Sequence, residues 1–154
     1  MKKILAIALS CLCLIGTTGS ADVIKAYDES ADAQTELNKA LGQAQTSKKK
    51  VLVIFGANWC KDCLELDKSI KGLNQFLINE KFVVVKIDVG QFDRNLQVVN
   101  AYGNPIKKGI PAALVLKPDN TLLYATRAGE LADARKMGDH GIANFFQQVI
   151  KDHP

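Results

Sequence analysis

The sequence predicts an α/β domain in which a small mixed sheet of about four strands has helices on both faces. Residues 51–55 and 82–87 are short apolar runs, typical of strands covered on both faces, and a helix-length segment separates them. Two further apolar runs flank a turn. A strand–helix–strand unit makes a parallel crossover, whereas a hairpin is antiparallel, so both strand orientations are expected in one sheet.

Composition agrees with a single globular domain. The chain has 154 residues, of which 47% are apolar and 23% charged, and its formal net charge is +4. This mixture excludes a disordered chain, a collagen-like chain and a dense disulfide scaffold. Because the charge is small and evenly spread, nucleic acid is not expected as a partner.

The first 21 residues have the parts of an export signal. Two lysines give a basic start, the apolar run 4–15 follows, and small residues end the segment at Ala21. The apolar run is too short to cross a bilayer, which takes about 20 residues. We therefore expect cleavage before Asp22, a single mature domain over 22–154, a periplasmic location and no stable membrane insertion.

Cys11 and Cys13 lie inside this signal and should be removed with it. The alternative is that one of them is a lipid-attachment site, which would anchor the protein to a membrane. The residues before each cysteine lack the order typical of a lipoprotein signal, so removal is favoured. The mature chain then retains only Cys60 and Cys63.

The element ahead of the first strand is predicted to be an amphipathic helix, an N-terminal extension of the domain. Its apolar residues recur at intervals of three and four positions, which places them on one face that must dock on the rest of the protein. They are Ala33, Leu37, Ala40, Leu41 and Ala44.

The segment between the two buried strands is predicted to be one helix that includes Cys63. Counted from Cys63, its apolar residues follow at spacings of three, four, three and four, which predicts a buried stripe. They are Leu66, Ile70, Leu73 and Leu77. Cys63 is therefore expected to be buried.

The second half of the domain is predicted to add two helices and a hairpin. Residues 93–102 are predicted to form a helix. The strands 112–116 and 122–125 are predicted to pair around a Pro-Asp-Asn turn. A final helix carries the apolar stripe Ile142, Phe145, Phe146, Val149 and Ile150.

Cys60 and Cys63 form a CxxC motif whose spacing favours redox chemistry over stabilisation. A disulfide across so short a loop contributes only about 2 kcal/mol in the chain-entropy model. Cys60 lies where the helix begins, and there the unpaired N–H groups and the helix dipole favour a thiolate. We therefore predict that Cys60 is the exposed sulfur that attacks a partner, and that Cys63 resolves the mixed disulfide from inside.

A structural zinc site is an alternative use of paired cysteines. Zinc in such sites takes four ligands, and besides the two cysteines the chain offers only His140 and His153, both far along the sequence. Neither a metal nor a bound cofactor is expected.

The residues around the motif resemble the thioredoxin superfamily, especially its exported bacterial members. The resemblance rests on VLVIFGANWCKDC at 51–63 and KGIPAALVL at 108–116, and it covers nearly all of 45–152. It implies a thioredoxin fold, in which Pro111 matches a cis proline beside the dithiol. It also implies that the backbone of Ile110 pairs with the substrate chain and that Trp59 shields the sulfurs. The alternative for Trp59 is an ordinary aromatic residue of the core.

The motif departs from that family in two places. Thioredoxins proper carry a buried acid on the first strand, where this chain has Ile54, and a Gly-Pro pair where it has Lys61 and Asp62. Lys61 should stabilise the thiolate and Asp62 should oppose it. The reduction potential of the family therefore does not transfer.

A basic rim is predicted beside the dithiol. Lys107 and Lys108 come just before Pro111, and together with Lys61 they would lower the pKa of Cys60 and attract an acidic partner surface. The alternative is that the two lysines belong to an ordinary solvated loop.

These features predict a monomeric periplasmic thiol–disulfide oxidoreductase. Its expected partners are protein thiols and disulfides and a membrane electron donor, and the resemblance implies a reductase or isomerase rather than an oxidase. One alternative is a copper-handling or metalloenzyme-assembly protein, with Met137 and His140 as added ligands. Another is a noncatalytic binding module.

Overall fold

The computed structural model describes residues 25–154. The predicted export signal over 1–21, its cleavage site before Asp22, and Cys11 and Cys13 lie outside these residues. The elements, in chain order, are α1 (Ala33–Ser47), β1 (Lys50–Gly56), α2 (Lys61–Lys71), α3 (Gln75–Lys81), β2 (Phe82–Asp88), α4 (Leu96–Ala101), a 3-10 helix (Pro105–Lys108), β3 (Ala112–Leu116), β4 (Leu122–Ala125) and α5 (Ala134–Asp152).

The four strands form one mixed sheet in the order β2-β1-β3-β4. β1 runs parallel to β2, in a register that pairs Lys50 with Phe82 and Gly56 with Asp88. β3 runs antiparallel to β1, and β4 antiparallel to β3. The predicted mixed sheet is thereby confirmed, because the crossover makes the parallel pair and the hairpin makes the antiparallel one.

The core lies around the two central strands. All of β3, and all of β1 except its first residue, is buried, which explains why both strands read as continuous apolar runs. α1 packs against β1 and β2, and α2 packs against α5. A short loop, residues 57–60, connects the carboxyl end of β1 to the start of α2.

α1 forms as predicted and is part of the core. Asp32 caps it by accepting the Thr35 N–H at 2.7 Å, and Lys48 ends it in a left-handed conformation. Its buried residues are Ala33, Leu37, Ala40 and Ala44.

The crossover contains two helices, so the prediction of one continuous helix is wrong. α2 ends at Lys71, Gly72 has the non-helical angles φ −101° and ψ −117°, and α3 begins at Gln75. The break shifts the helical phase and leaves Leu73 81% exposed instead of in the buried stripe. Asn74 holds the break, because its buried amide donates to the Ser69 hydroxyl at 2.8 Å and to the Asp139 carbonyl at 2.9 Å.

Two other helices differ from the sequence-based expectation. α4 begins three positions later than 93, because Asn95 has a left-handed backbone with φ 54°. α5 is kinked at Gly138, whose φ of 61° and ψ of 179° separate a first turn from the rest of the helix. Within residues 25–154, none of the helices combines the length and apolar character that crossing a bilayer requires.

Candidate redox site

Cys60 and Cys63 are joined by a disulfide at the junction of β1 and α2. Cys60 is the N-cap residue of α2 and has the extended backbone angles φ −82° and ψ 108°. The backbone N–H of Cys63 donates to Cys60 Sγ at 3.1 Å. The sulfur thus takes the place of the side-chain oxygen that usually caps a helix.

This position favours a negative charge on the Cys60 sulfur once the disulfide is reduced. The N–H groups of the first helical turn lack backbone partners, and the helix dipole places partial positive charge there. A thiolate at such a site is stabilised and its pKa falls. The geometry therefore suits the predicted nucleophilic role, which itself stays a prediction.

The two sulfurs differ in accessibility less than expected. Cys63 is fully buried, and Cys60 is 5% exposed, so Cys60 is the more accessible residue but is not an open surface sulfur. Two neighbours cover it: Cys63 through the disulfide, and Ile110, whose carbonyl oxygen lies 3.6 Å from Cys60 Sγ.

Ile110 and Pro111 lie beside the disulfide, directly before β3. The peptide bond between them is cis, and both residues are buried. The Ile110 carbonyl oxygen lies 3.6 Å from Cys60 Sγ, so the backbone at this position adjoins the sulfur. Pairing of that backbone with a substrate stays a prediction.

Trp59 lies at the surface next to Cys60 and is not a core residue. It is 49% exposed, and its indole N–H donates to the Gly90 carbonyl at 2.8 Å. Its ring centroid is 6.1 Å from that of Phe92, which is 43% exposed and has φ 65°. The segment after β2 therefore orients Trp59 and adds a second surface aromatic near the site.

Asp62, inside the motif, is held by a residue that is distant in the sequence. Its carboxylate accepts the backbone N–H of Arg135 at 3.0 Å and the Arg135 guanidinium N–H at 3.1 Å. The hydrogen bond and charge of Arg135 lower the pKa of Asp62. Seventy-three positions separate the two residues, so local sequence patterns do not reveal the pair.

The three lysines of the predicted basic rim are exposed. Lys61 is the first residue of α2, and Lys107 and Lys108 end the 3-10 helix that precedes Ile110. In the part of the chain that the structure describes, none of the three forms an ion pair. Their effect on Cys60 stays a prediction.

Comparison with known proteins identifies the family. Residues 32–118 match the family model described as thioredoxin-like. The chain belongs to the thioredoxin-like family. A thioredoxin from Buchnera aphidicola subsp. Baizongia pistaciae is 35% identical over 86 residues, which cover 56% of this chain and 71% of that protein.

Solved structures of the thioredoxin-like family give the same result. A disulphide isomerase from Xylella fastidiosa Temecula1 is 51% identical, with a TM-score of 0.81, over 83% of this chain and 98% of that one. The oxidised C-terminal domain of Neisseria meningitidis DsbD shares the fold, at 20% identity and a TM-score of 0.50, over 77% and 97%. Family membership and the paired motif cysteines make this chain a protein-disulfide oxidoreductase.

In this thioredoxin-like chain, residues 57–60 form the loop between β1 and α2, here called the redox loop. Asn58 joins this loop to the segment ahead of α1. Its side-chain oxygen accepts the Tyr27 N–H at 3.0 Å, and its amide donates to the Tyr27 carbonyl at 2.8 Å. Tyr27 is 1% exposed. In the sequence, Asn58 shows only as a polar residue directly before the Trp-Cys pair. Its partner Tyr27 is 31 positions away, so the contact itself is not visible there.

An ion pair between Lys86 and Asp67 joins β2 to α2. Ile54 is buried on β1, opposite Lys86 of β2, and Lys86 Nζ binds Asp67 of α2 at 2.6 Å. Burial lowers the pKa of Lys86 against the opposing effect of Asp67. Burial, Asp67 and Asp88 raise the pKa of Tyr27, whose hydroxyl has no hydrogen-bond partner within residues 25–154.

Met137 and His140 lie in α5, on either side of its kink at Gly138. Among the described residues, no three His, Cys, Asp or Glu side chains come together as ligands for a metal ion.

Proposed function

We propose that the protein is an exported, monomeric thiol–disulfide oxidoreductase that reduces or isomerises disulfides of other proteins in the periplasm. Cys60 acts as the nucleophile and Cys63 as the resolving cysteine. The observation that carries the proposal is the position of Cys60 Sγ as the cap of α2, accepting the Cys63 N–H at 3.1 Å while Cys63 itself is fully buried.

In the reductive direction, the Cys60 thiolate attacks one sulfur of a client disulfide. A Cys60–client disulfide forms, the client S–S bond breaks, and the released client thiolate takes up a proton. The Cys63 thiolate then attacks Cys60 Sγ, which forms the Cys60–Cys63 disulfide and releases the second client thiolate. Two electrons pass from the protein dithiol to the client, and a reduced dithiol of a membrane electron donor restores them.

In isomerisation, a second client thiolate attacks the mixed disulfide in place of Cys63. A new client disulfide forms, Cys60 leaves as the thiolate, and no net electrons are transferred. The similarity to the Xylella fastidiosa disulphide isomerase, at 51% identity, supports this direction over oxidation. The motif also lacks a histidine between its cysteines, whose positive charge would favour a strong oxidant.

The client chain is proposed to lie along the surface formed by Trp59, Ile110 and Pro111. Trp59 offers a half-exposed ring next to Cys60, and the Ile110 carbonyl lies 3.6 Å from the Cys60 sulfur. An extended client segment placed there would reach the sulfur and pair with the Ile110 backbone. Residues 1–21 would direct export and be cleaved.

A mixed-disulfide trap tests this function. Full-length protein with Cys63→Ser, expressed in cells, should accumulate covalent complexes with client proteins that a reductant releases. The matched control, Cys60→Ser with Cys63→Ser, should capture none. Equal capture by both variants, or none by either, would contradict the assignment of Cys60.

The redox state of the wild-type protein in cells tests the direction. A reductase or isomerase needs its dithiol reduced, so alkylation of quenched cells should find most of the Cys60–Cys63 pair as thiols. A pool that is entirely oxidised would contradict this direction and favour an oxidase. Purified protein should also reduce insulin disulfides with dithiothreitol as electron source, and Cys60→Ser should abolish that activity.

A further inference from the structure

We propose that Arg135 is a positioning residue of the redox site, which fixes Asp62 and offsets its negative charge in the first turn of α2, the helix that Cys60 caps. The inference rests on the nucleophilic role proposed for Cys60. It assigns to the first turn of α5 a part in setting the reactivity of a cysteine on a different helix.

Both carboxylate oxygens of Asp62 accept hydrogen bonds from Arg135. One oxygen accepts the Arg135 backbone N–H at 3.0 Å, and the other accepts the guanidinium at 3.1 Å. The Asp62 side chain is 16% exposed and that of Arg135 is 56% exposed. Because the backbone bond anchors the contact, part of it does not depend on ordering a long, exposed side chain.

The kink of α5 gives Arg135 this position. Gly138 separates the first turn of α5 from the rest of the helix. Ala134, next to Arg135, is fully buried, as is Leu131 just ahead of the turn. The turn is thus anchored by its own buried residues, and Arg135, which it carries, bonds to Asp62 of α2.

The same segment also reaches the loop that leads to Pro111. A Cβ placed on Gly109 would lie 3.2 Å from the Cβ of Ala132, so the two backbones approach closely. The segment that carries Arg135 therefore approaches the chain at two places: the second residue between the two cysteines, and the loop ahead of the cis bond.

The charges around Asp62 make Arg135 its principal counterion. Besides Arg135, α5 brings Lys136, which acts at longer range and is paired with Asp133 at 3.2 Å. On α2, Lys61 adjoins Asp62, and Glu65 one turn later is 3.9 Å from Lys68. Arg135 alone among these groups bonds to the Asp62 carboxylate directly.

Asp62 lies two positions after Cys60, in the first turn of α2. An unpaired carboxylate there would repel a thiolate on Cys60 and so destabilise the reduced site. The pKa of Asp62 is lowered by Arg135, which is the expected sign for a carboxylate held in its charged form. Loss of Arg135 should therefore raise the pKa of Cys60 and make the dithiol more reducing.

The test measures the thiolate of Cys60 in the purified, reduced protein. For Arg135→Gln we expect a raised Cys60 pKa, read from the pH dependence of iodoacetamide alkylation. Below that pKa, alkylation should be about two- to fivefold slower than in the wild type, as fits an exposed ion pair. Lys136→Gln, a matched exposed cation without a bond to Asp62, should change the rate less.

Two further variants separate a charge effect from a structural one. Asp62→Asn should lower the Cys60 pKa, and in that background Arg135→Gln should have no further effect. Arg135→Lys, which keeps the charge, should lie between wild type and Arg135→Gln. At a pH above the Cys60 pKa, the equilibrium with glutathione should shift toward the disulfide in Arg135→Gln by about the same factor.

An unchanged Cys60 pKa in Arg135→Gln, or an equal rise with and without Asp62, would overturn the proposal. If Arg135→Gln does not fold, the Arg135→Lys and Asp62→Asn variants alone decide, because each shifts the Cys60 pKa in a stated direction. The readout requires no client. Failure to reduce proteins would therefore contradict the proposed function without affecting this test.

Discussion

At Cys60, the sulfur that forms the disulfide also caps a helix. The Cys63 N–H donates to the Cys60 sulfur at 3.1 Å and ties it to the first turn of α2, and the Ile110 carbonyl oxygen lies 3.6 Å from the same sulfur. Reduction replaces the disulfide with a charge that the same N–H groups already face. The site is therefore arranged for the reduced state before reduction occurs.

Asp62, the second residue between the two cysteines, gives a pH-dependent contribution to stability. Arg135 lowers the pKa of Asp62 in the folded protein, whereas an unfolded aspartate titrates at about 3.9. A lowered pKa gives stability that is present above the unfolded value and is lost as the pH falls through the folded value. The Asp62–Arg135 pair should therefore stabilise the protein at neutral pH and cease to do so in acid.

Denaturation of the oxidised protein from pH 7 to pH 3 checks this prediction. The urea midpoint of the wild type should exceed that of Asp62→Asn at neutral pH, and the two should converge toward acid. Asp133→Asn removes a carboxylate that is 71% exposed on the same turn as Arg135 and serves as the control. A constant difference between wild type and Asp62→Asn down to pH 3 would rule out the expected linkage.

Among the elements, α1 shows how a helix outside the sheet becomes part of the core. Its apolar face packs on β1 and β2, while Asn58 joins the segment before it to the redox loop. The N-terminal extension thus supports β1, the strand that leads to Cys60.

The break between α2 and α3 has the opposite effect on an apolar residue, because it places Leu73 at the surface.

Truncation of α1's central side chain should be costly. Leu37 is 1% exposed, so Leu37→Ala should lower the free energy of unfolding by about 2–5 kcal/mol through lost burial and a cavity. The matched change Leu73→Ala, at a position 81% exposed, should alter it by less than about 0.5 kcal/mol. Equal effects of the two changes in urea denaturation would contradict the packing of α1.

Across the whole molecule, stability resides in the sheet and the helices on it, while the disulfide serves chemistry. The central strands β1 and β3 are almost entirely buried. The disulfide closes a loop with only two residues between its cysteines. Redox cycling should therefore leave the fold intact.

A comparison of the oxidised protein with Cys60→Ala, Cys63→Ala tests this division. The disulfide should add no more than about 2 kcal/mol to the free energy of unfolding, as expected from the entropy of closing a loop this short. Urea denaturation of the oxidised wild type, the reduced wild type and the double variant measures it. Cooperative unfolding lost on reduction would show that the disulfide is structural.

Local patterns carry much of this architecture. Neighbouring residues determine the continuous apolar strands, the apolar spacing of α1 and the turn between β3 and β4. The mixed sheet therefore follows from the sequence, and the structure confirms it. The CxxC motif after a buried strand likewise places Cys60 at the start of a helix. Its chemistry follows from short-range geometry that any such junction shares.

The sequence by itself thus determined the mixed sheet, the family, and the cysteine pair at a helix start, because periodicity and motif spacing act between near neighbours. Only the tertiary structure decided which distant groups surround that pair. The partners of Asp62, Trp59 and Asn58 lie between 29 and 73 positions away. No local pattern encodes such contacts, since they depend on how the loops after β2 and β4 and the segment before α1 pack around the redox site.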